Sequence, residues 1–215
     1  MSRTEPNFDR LARIYGTLEY LSMGRALERV RFSFLPELVR AKRALVLGDG
    51  DGRFLSLLLS ENDALHAVVV DSSAAMLERL RDRCTANVDR IQTMQADARR
   101  FVREAEGSFD LVVTHFFLDC FSQQEVDAMA RSITAKLETG GLWVTSEFRI
   151  PSGAVGMFSW LLIRALYSAF GVLTGLETRR LPNHEVALRA CGMVRRQQRF
   201  WWGGTLTAEL WQKQE

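Results

Sequence analysis

The stretch from Arg43 to Leu59, "RALVLGDGDGRFLSLLL", limits the fold more than any other part of this 215-residue chain. A strand-like run, Ala44 to Leu47, enters a turn with glycine at positions 48, 50 and 52, and an apolar helical pattern follows. Strand, glycine turn and helix in that order open a βαβ unit, whose helix N-terminus usually faces an anionic phosphate. Here two carboxylates, Asp49 and Asp51, stand between the glycines, so the ligand has to suit negative charge.

The alternation continues downstream. "LHAVVVD" predicts a second strand ending at Asp71, followed by a helix from Ser73 to Arg83. "IQTMQAD" predicts a third strand ending at Asp97, and "FDLVVTHF" a fourth. Ser122 and Glu125 have capping-box spacing and open a helix that Gly140 and Gly141 are expected to end. "LWVTSEF" is a fifth strand, and "MVRRQQRF", "WWGG" and "TLTAELW" predict a hairpin added antiparallel at the sheet edge. The expected fold is α/β, a Rossmann-like, doubly wound and mainly parallel sheet of seven strands. Upstream, Phe8, Leu11, Tyr15, Leu18 and Leu21 recur at helical spacing, and a second helix is expected over 25–40, broken near Pro36. The chain then reads as a single domain: cap helices over 1–42, a ligand-binding core over 43–150, a helical insertion over 151–182, and a helix and hairpin over 183–215.

A net charge of +2 gives no electrostatic footprint for nucleic acid, and the arginines at 179, 180, 195, 196 and 199 read as solvated surface. Cys84, Cys120 and Cys191 lack metal-ligand spacing and are odd in number, which argues against a zinc site or a disulfide framework. The first residues lack the apolar core of a secretory signal, so the cytoplasm is the expected location. The segment from Gly153 to Leu176 is long enough to span a bilayer but carries Arg164 near its centre. A charge there costs about 2.5–3.5 kcal/mol on insertion scales. Arg164, Ser168, Gly171 and Gly175 form one narrow polar stripe, which fits a helix buried in the protein or lining an apolar pocket. Peripheral membrane contact through it stays open.

Ligands of open α/β sheets bind at the carboxyl ends of the strands, where this sequence places Asp49, Asp51, Asp71, Asp97 and His115. A dinucleotide turn needs G-x-G-x-x-G/A, but Arg53 stands at the last position. Asp49 and Asp51 would also repel a pyrophosphate, by roughly 3 kcal/mol per like-charge pair at about 5 Å and a dielectric near 20. A cationic ligand reverses that sign. S-adenosylmethionine has a sulfonium, an ammonium and no phosphate; Asp71 suits its ribose diol and Asp97 its adenine amino group.

In their order and spacing, "LVLGDGDG", "VVVDSSAAML", "MQADAR", "FDLVVTHFFLDCF" and "LETGGLWVTSEF" resemble a class I S-adenosylmethionine-dependent methyltransferase. "FDRLARIYGTLEY" resembles the helix that closes over the cofactor in the branch containing quinone-precursor and other small-molecule methyltransferases. The resemblance implies that Gly48, Gly50 and Gly52 let the backbone approach the methionine moiety. It implies that Asp71, with Ser72 and Met76, holds the ribose and nucleoside, and that Asp97 and Ala98 flank adenine. His115 would contact the cofactor or face the substrate, and Tyr15 matches a tyrosine of the closing helix. The family often has a carboxylate two residues before the first glycine, where this chain has Val46, which leaves Asp49 or Asp51 as its replacement.

The implied reaction is an in-line displacement from an already activated donor, so a base is needed only when the acceptor carries a proton. His115 is the first choice for that base and Tyr15 the second. The insertion after the fifth strand, with Phe158, Trp160, Tyr167 and Phe170, reads either as a lid over a small hydrophobic acceptor or as completion of the core. Two other functions stay open: a non-catalytic S-adenosylmethionine-binding protein and an NAD(P)-dependent oxidoreductase.

Overall fold

The computed structural model describes residues 25–104, 106–174 and 181–214. Its seven strands are β1 (Arg43–Leu47), β2 (His66–Asp71), β3 (Ile91–Gln95), β4 (Phe109–His115), β5 (Leu137–Phe148), β6 (Met193–Trp201) and β7 (Leu206–Lys213). They form one sheet in the order 3-2-1-4-5-7-6. β1 pairs in parallel with both β2 and β4, so the chain reverses its direction of winding between β1 and β4. That reversal is the switch point where such sheets bind ligands.

The C-terminal hairpin forms as expected but is seated differently. β7 inserts antiparallel between β5 and β6, leaving β6 as the edge. The side chains explain the order: the first six residues of β7 are buried, whereas β6 is half exposed along its length.

The described helices are α1 (Ala26–Arg31), α2 (Leu35–Leu38), α3 (Arg53–Glu61), α4 (Ala74–Arg83), α5 (Ala98–Glu104), α6 (Gln123–Lys136), α7 (Ala154–Thr174) and α8 (His184–Ala190). The helix expected over 25–40 is split by a 3-10 turn at Phe32–Phe34. Phe34 leaves helical geometry, and Pro36 falls in the first turn of α2, where its missing N–H is no loss. β3 stops two residues short of Asp97, which instead heads a helix that the sequence pattern did not predict, α5.

At α6 the capping box is present: Glu125 N donates to Ser122 Oγ, and Ser122 N donates to Glu125 Oε2 at 2.9 Å. The expected stop at Gly140 and Gly141 is corrected. The helix ends at Lys136, because Leu137 is already extended and paired with Phe109 of β4. Gly140 (φ 77°) lies where the β4–β5 register jumps from Leu137 to Leu142, so the glycines absorb a strand irregularity. Lys213 Nζ donates to the carbonyls of Thr134 and Leu137, closing the helix end with a cation.

Two apolar layers cover the sheet. One face buries Val30, Phe34, Phe54, Leu58 and Leu77; the other buries Val102, Ile133, Trp143, Leu188 and Trp211. Over residues 155–165 α7 is buried on one face only; the side chains of Tyr167, Ser168 and Phe170 lie outside the described residues. Ser159 and Ile163 turn inward, and Ser159 Oγ shares a 2.6 Å hydrogen bond with Thr205 Oγ1. Met157 (69% exposed), Phe158 (67%), Trp160 and Leu161 face outward, with the exposed Arg164 guanidinium 5.0 Å from the Trp160 ring centroid. No described helix is long and apolar enough to cross a membrane.

Candidate functional site

The site grows from the turn after β1. Gly48, Gly50 and Gly52 all have positive φ (66°, 64° and 78°), a region that L side chains rarely enter. Space is as limiting as conformation: a Cβ on Gly48 would meet Phe117 Cδ2 at 2.5 Å, and one on Gly52 would meet Leu80 at 2.8 Å. Phe117 comes from the segment after β4 and lies directly on the glycine turn, so the two strand ends at the switch point are in contact.

The structure separates the two carboxylates of the turn. Asp51 is paired with Arg83 at 2.8 Å and Arg53 at 3.1 Å, and its carbonyl also accepts from Arg83 Nε. Asp49 is only 8% exposed; its Oδ2 accepts from Leu55 N at 3.1 Å, and among the described residues its Oδ1 has no partner. Burial pushes its pKa up to about 7, a rise that the Leu55 N–H and the Arg31 charge only partly oppose. Asp49 is thus the carboxylate with a vacant oxygen, and Asp51 is the neutralised one.

Along the neighbouring strand ends, Asp71 Oδ1 accepts from Ser73 N at 2.9 Å. Ser73, not Asp71, caps α4, accepting from Met76 N, while Ser72 is exposed and Met76 buried. Asp97 accepts from Arg99 N and Arg99 Nε, and Arg99 reaches on to Glu125 Oε1 at 2.7 Å. Burial raises the Asp97 pKa, but the Arg99 guanidinium and backbone donors outweigh it and hold the carboxyl below its usual range. Ala98 is buried at the start of α5.

His115 ends β4 at 3% exposure, its ring edge-on to Phe54 with centroids 4.5 Å apart. Its Nδ1 lies 2.8 Å from Ser146 Oγ, which itself reaches the Val30 carbonyl at 3.5 Å. Nε2 has no partner among the described residues; in the tautomer that carries its proton on Nδ1 and donates to Ser146 Oγ, Nε2 is an acceptor. Burial first, and Arg31 second, press its pKa well below the ordinary value, so the ring is neutral. Tyr15 and the segment Phe8–Leu21 lie outside the described residues.

Some participants carry no motif. Arg31, the last residue of α1, is 7% exposed and sits 5.4 Å from the Phe116 ring centroid. Glu147, near the end of β5, is 1% exposed; its Oε1 accepts from Leu118 N at 3.2 Å, and its Oε2 has no partner among the described residues. Burial and then the Asp119 charge push its pKa well above the usual range, so it is a neutral acid tying the post-β4 segment to β5. Ser146 and Glu147 were detectable by the strand-end argument that picked out His115, as a polar pair closing an apolar run. Arg31 had no such signal.

Asp49 after β1 and His115 at the end of β4 therefore hold buried polar atoms without a partner among the described residues, and Glu147 near the end of β5 holds an unpartnered acid oxygen. A ligand rich in N–H donors and positive charge complements Asp49 and His115, whereas a pyrophosphate would not. Residues 44–141 match the methyltransferase domain. The cofactor of such a domain is S-adenosylmethionine, and the Asp49 oxygen without a partner among the described residues fits its cationic end.

Solved methyltransferases share the fold. The N-methyltransferase NodS from Bradyrhizobium japonicum WM9, in complex with S-adenosyl-l-homocysteine, is 15% identical with a TM-score of 0.64, over 88% of this chain and 89% of that one. An O-methyltransferase family protein from Burkholderia thailandensis is 15% identical with a TM-score of 0.66, over 100% of this chain and 65% of that one. The S-adenosylmethionine-dependent methyltransferase SibL is 20% identical with a TM-score of 0.66, over 100% of this chain and 64% of that one. Comparison with curated protein sequences returns no match.

Proposed function

We propose that this methyltransferase moves the methyl group of S-adenosylmethionine to a small, hydrophobic acceptor by in-line displacement. The observation that carries the reading is the buried Asp49 Oδ1, without a donor among the described residues, in a turn where neither Gly48 nor Gly52 has room for a Cβ. The cofactor supplies a methyl group already activated on a sulfonium leaving group. The protein's share is then positioning and exclusion of water. The backbone at Gly48, Gly50 and Gly52 and the Asp49 carboxylate receive the methionine end. Asp71 holds the ribose diol with Ser72 and Met76 alongside, and Asp97 and Ala98 flank the adenine.

The acceptor side is aromatic. Phe116 and Phe148 pack at 5.1 Å between centroids, and Phe117 and Phe121 at 5.0 Å, all at the ends of β4 and β5 or just beyond. Where the acceptor carries a proton, His115 Nε2 is the proposed base, with Tyr15 second. A neutral imidazole of depressed pKa suits an acceptor whose own proton is acidic.

The outward apolar face of α7, with Arg164 beside its Trp160 ring, supports a peripheral contact with an anionic membrane surface from which such acceptors are drawn. Cys84, Cys120 and Cys191 form no disulfide among the described residues, which suits a reducing, cytoplasmic setting. The test is incubation with S-adenosylmethionine and a panel of apolar phenols, quinols and amines. S-adenosylhomocysteine formed in step with a methylated product is expected. Cofactor binding without product across the panel would favour a binding protein, and a thermal-shift preference for NAD(P) over S-adenosylhomocysteine would favour an oxidoreductase.

A further inference from the structure

The chain leaves β4 through a residue in an unfavourable conformation. Phe116 has φ 52°, and among the described residues only Trp202 shares a positive φ without being glycine. For a side chain of this size the left-handed region is disfavoured by roughly five- to thirtyfold against right-handed backbone. Such strain persists where the surroundings over-determine it, and it gathers at functional sites. Phe116 N donates to the Ser146 carbonyl at 2.6 Å, and its ring packs on Phe148 with centroids 5.1 Å apart.

The residues that follow are fixed from β5. Leu118 N donates to Glu147 Oε1 at 3.2 Å, and the N–H groups of Phe117 and Asp119 also act on that carboxyl. Glu147 is 1% exposed, and its Oε2 has no partner among the described residues, so an acid is buried here at a cost that packing alone does not explain. Between the strained residue and the held N–H stands Phe117. Its Cδ2 would lie 2.5 Å from a Cβ on Gly48, and Phe121 backs the ring at 5.0 Å between centroids. A strained pivot, an aromatic ring on the glycine turn and a buried clamp thus occupy three successive positions, 116 to 118.

We propose that Glu147 is a positioning residue for the cofactor: through Leu118 N it holds Phe116 in the left-handed conformation and keeps the Phe117 ring on Gly48, so that this wall of the site is in place before the ligand arrives. The inference rests on the S-adenosylmethionine reading and extends it to a β5 residue that has no contact with the cofactor in that reading. Without the clamp the backbone relaxes at Phe116, and only a fraction of molecules keeps the ring in place. The apparent dissociation constant then rises by the inverse of that fraction. A neutral acid holds the turn through its oxygen rather than its charge, so a glutamine amide serves in its place.

The test is calorimetric titration of the full chain with S-adenosylhomocysteine, well below the melting temperature of each variant. We expect Glu147→Leu to lower affinity fivefold or more, and Glu147→Gln to stay within twofold of the wild type. Phe117→Ala should lower it as far as Glu147→Leu, and the two together no further than either alone, because both act through one ring. Phe116→Gly and Phe116→Ala remove the same side chain but differ in tolerance of positive φ. With Glu147 in place these two should bind within twofold of each other. Combined with Glu147→Leu, the Gly variant should bind at least threefold more tightly than the Ala variant. If Glu147→Leu does not fold, Glu147→Asp, one methylene short of Leu118 N, should show the same dependence on residue 116. Unchanged affinity on loss of the clamp, additive losses with Phe117→Ala, or a Gly-to-Ala ratio indifferent to residue 147 would each overturn the proposal. Glu147→Gln as weak as Glu147→Leu would do so too. A folded wild type that does not bind S-adenosylhomocysteine would instead overturn the cofactor reading on which the proposal stands.

Discussion

At the scale of single residues, Asp49 sets stability against function. Its folded pKa of about 7 exceeds that of an unfolded aspartate, so the native state holds the proton to higher pH. Stability contributed here is therefore lost as pH rises from about 4 to about 7, and stays lost above that. In the cofactor-free protein, Asp49→Asn should raise unfolding free energy at pH 8 by on the order of 3–4 kcal/mol and by little at pH 4. Urea unfolding at the two pH values checks this; an equal effect at both would show that the carboxyl is not buried as a neutral acid. Gly48→Ala works in the opposite direction. A positive φ costs roughly 1–2 kcal/mol for a residue with Cβ, and the 2.5 Å approach to Phe117 adds to it. We expect Tm to fall by several degrees and S-adenosylhomocysteine binding to weaken, both readable in one thermal-shift series. The sequence marked Asp49, Asp71, Asp97 and His115 because chain position alone puts them at strand ends. It left Arg31 unmarked, because its burial depends on neighbours far along the chain, and it passed over Glu147 although that residue too closes an apolar strand.

At the scale of elements, local signals succeeded where the interaction itself is local. The Ser122–Glu125 capping box spans three residues and is present; Ser122→Ala should cost about 1 kcal/mol in chemical denaturation. The glycine pair at 140 and 141 misled because helix termination competes with strand pairing, and Leu137 of β5 pairs with Phe109 before the glycines are reached. α7 shows the same limit, since apolar composition does not say which face finds a partner. Its outward Met157, Phe158 and Leu161 lead to a liposome prediction. Replacing Phe158 and Trp160 together by Ser should reduce co-sedimentation with anionic vesicles several-fold while leaving nucleoside binding intact. Co-sedimentation that does not change would remove the membrane contact.

At the scale of the whole molecule, the strand order 3-2-1-4-5-7-6 gathers the site from segments distant in sequence. If the cofactor is held as proposed, between the ends of β1, β2 and β4, a ligand that fills the site should stabilise the fold as a unit. S-adenosylhomocysteine at about a hundred times its Kd should add about 2.7 kcal/mol, seen as a single transition moving to higher temperature. A second transition that the ligand leaves in place would show that parts of the chain unfold independently. By itself, the sequence determined the alternation of strands and helices, the glycine turn with its excess negative charge, and hence the class of fold and of cofactor. These follow from residue spacing and from charges a few positions apart. Only the tertiary structure decided that β7 lies inside the sheet, that Asp51 is paired with Arg83 while Asp49 Oδ1 has no partner among the described residues, and that Arg31 is buried over the Phe116 ring. Arg83 is 32 residues beyond Asp51, and desolvation depends on everything packed around a carboxyl rather than on its neighbours in the chain.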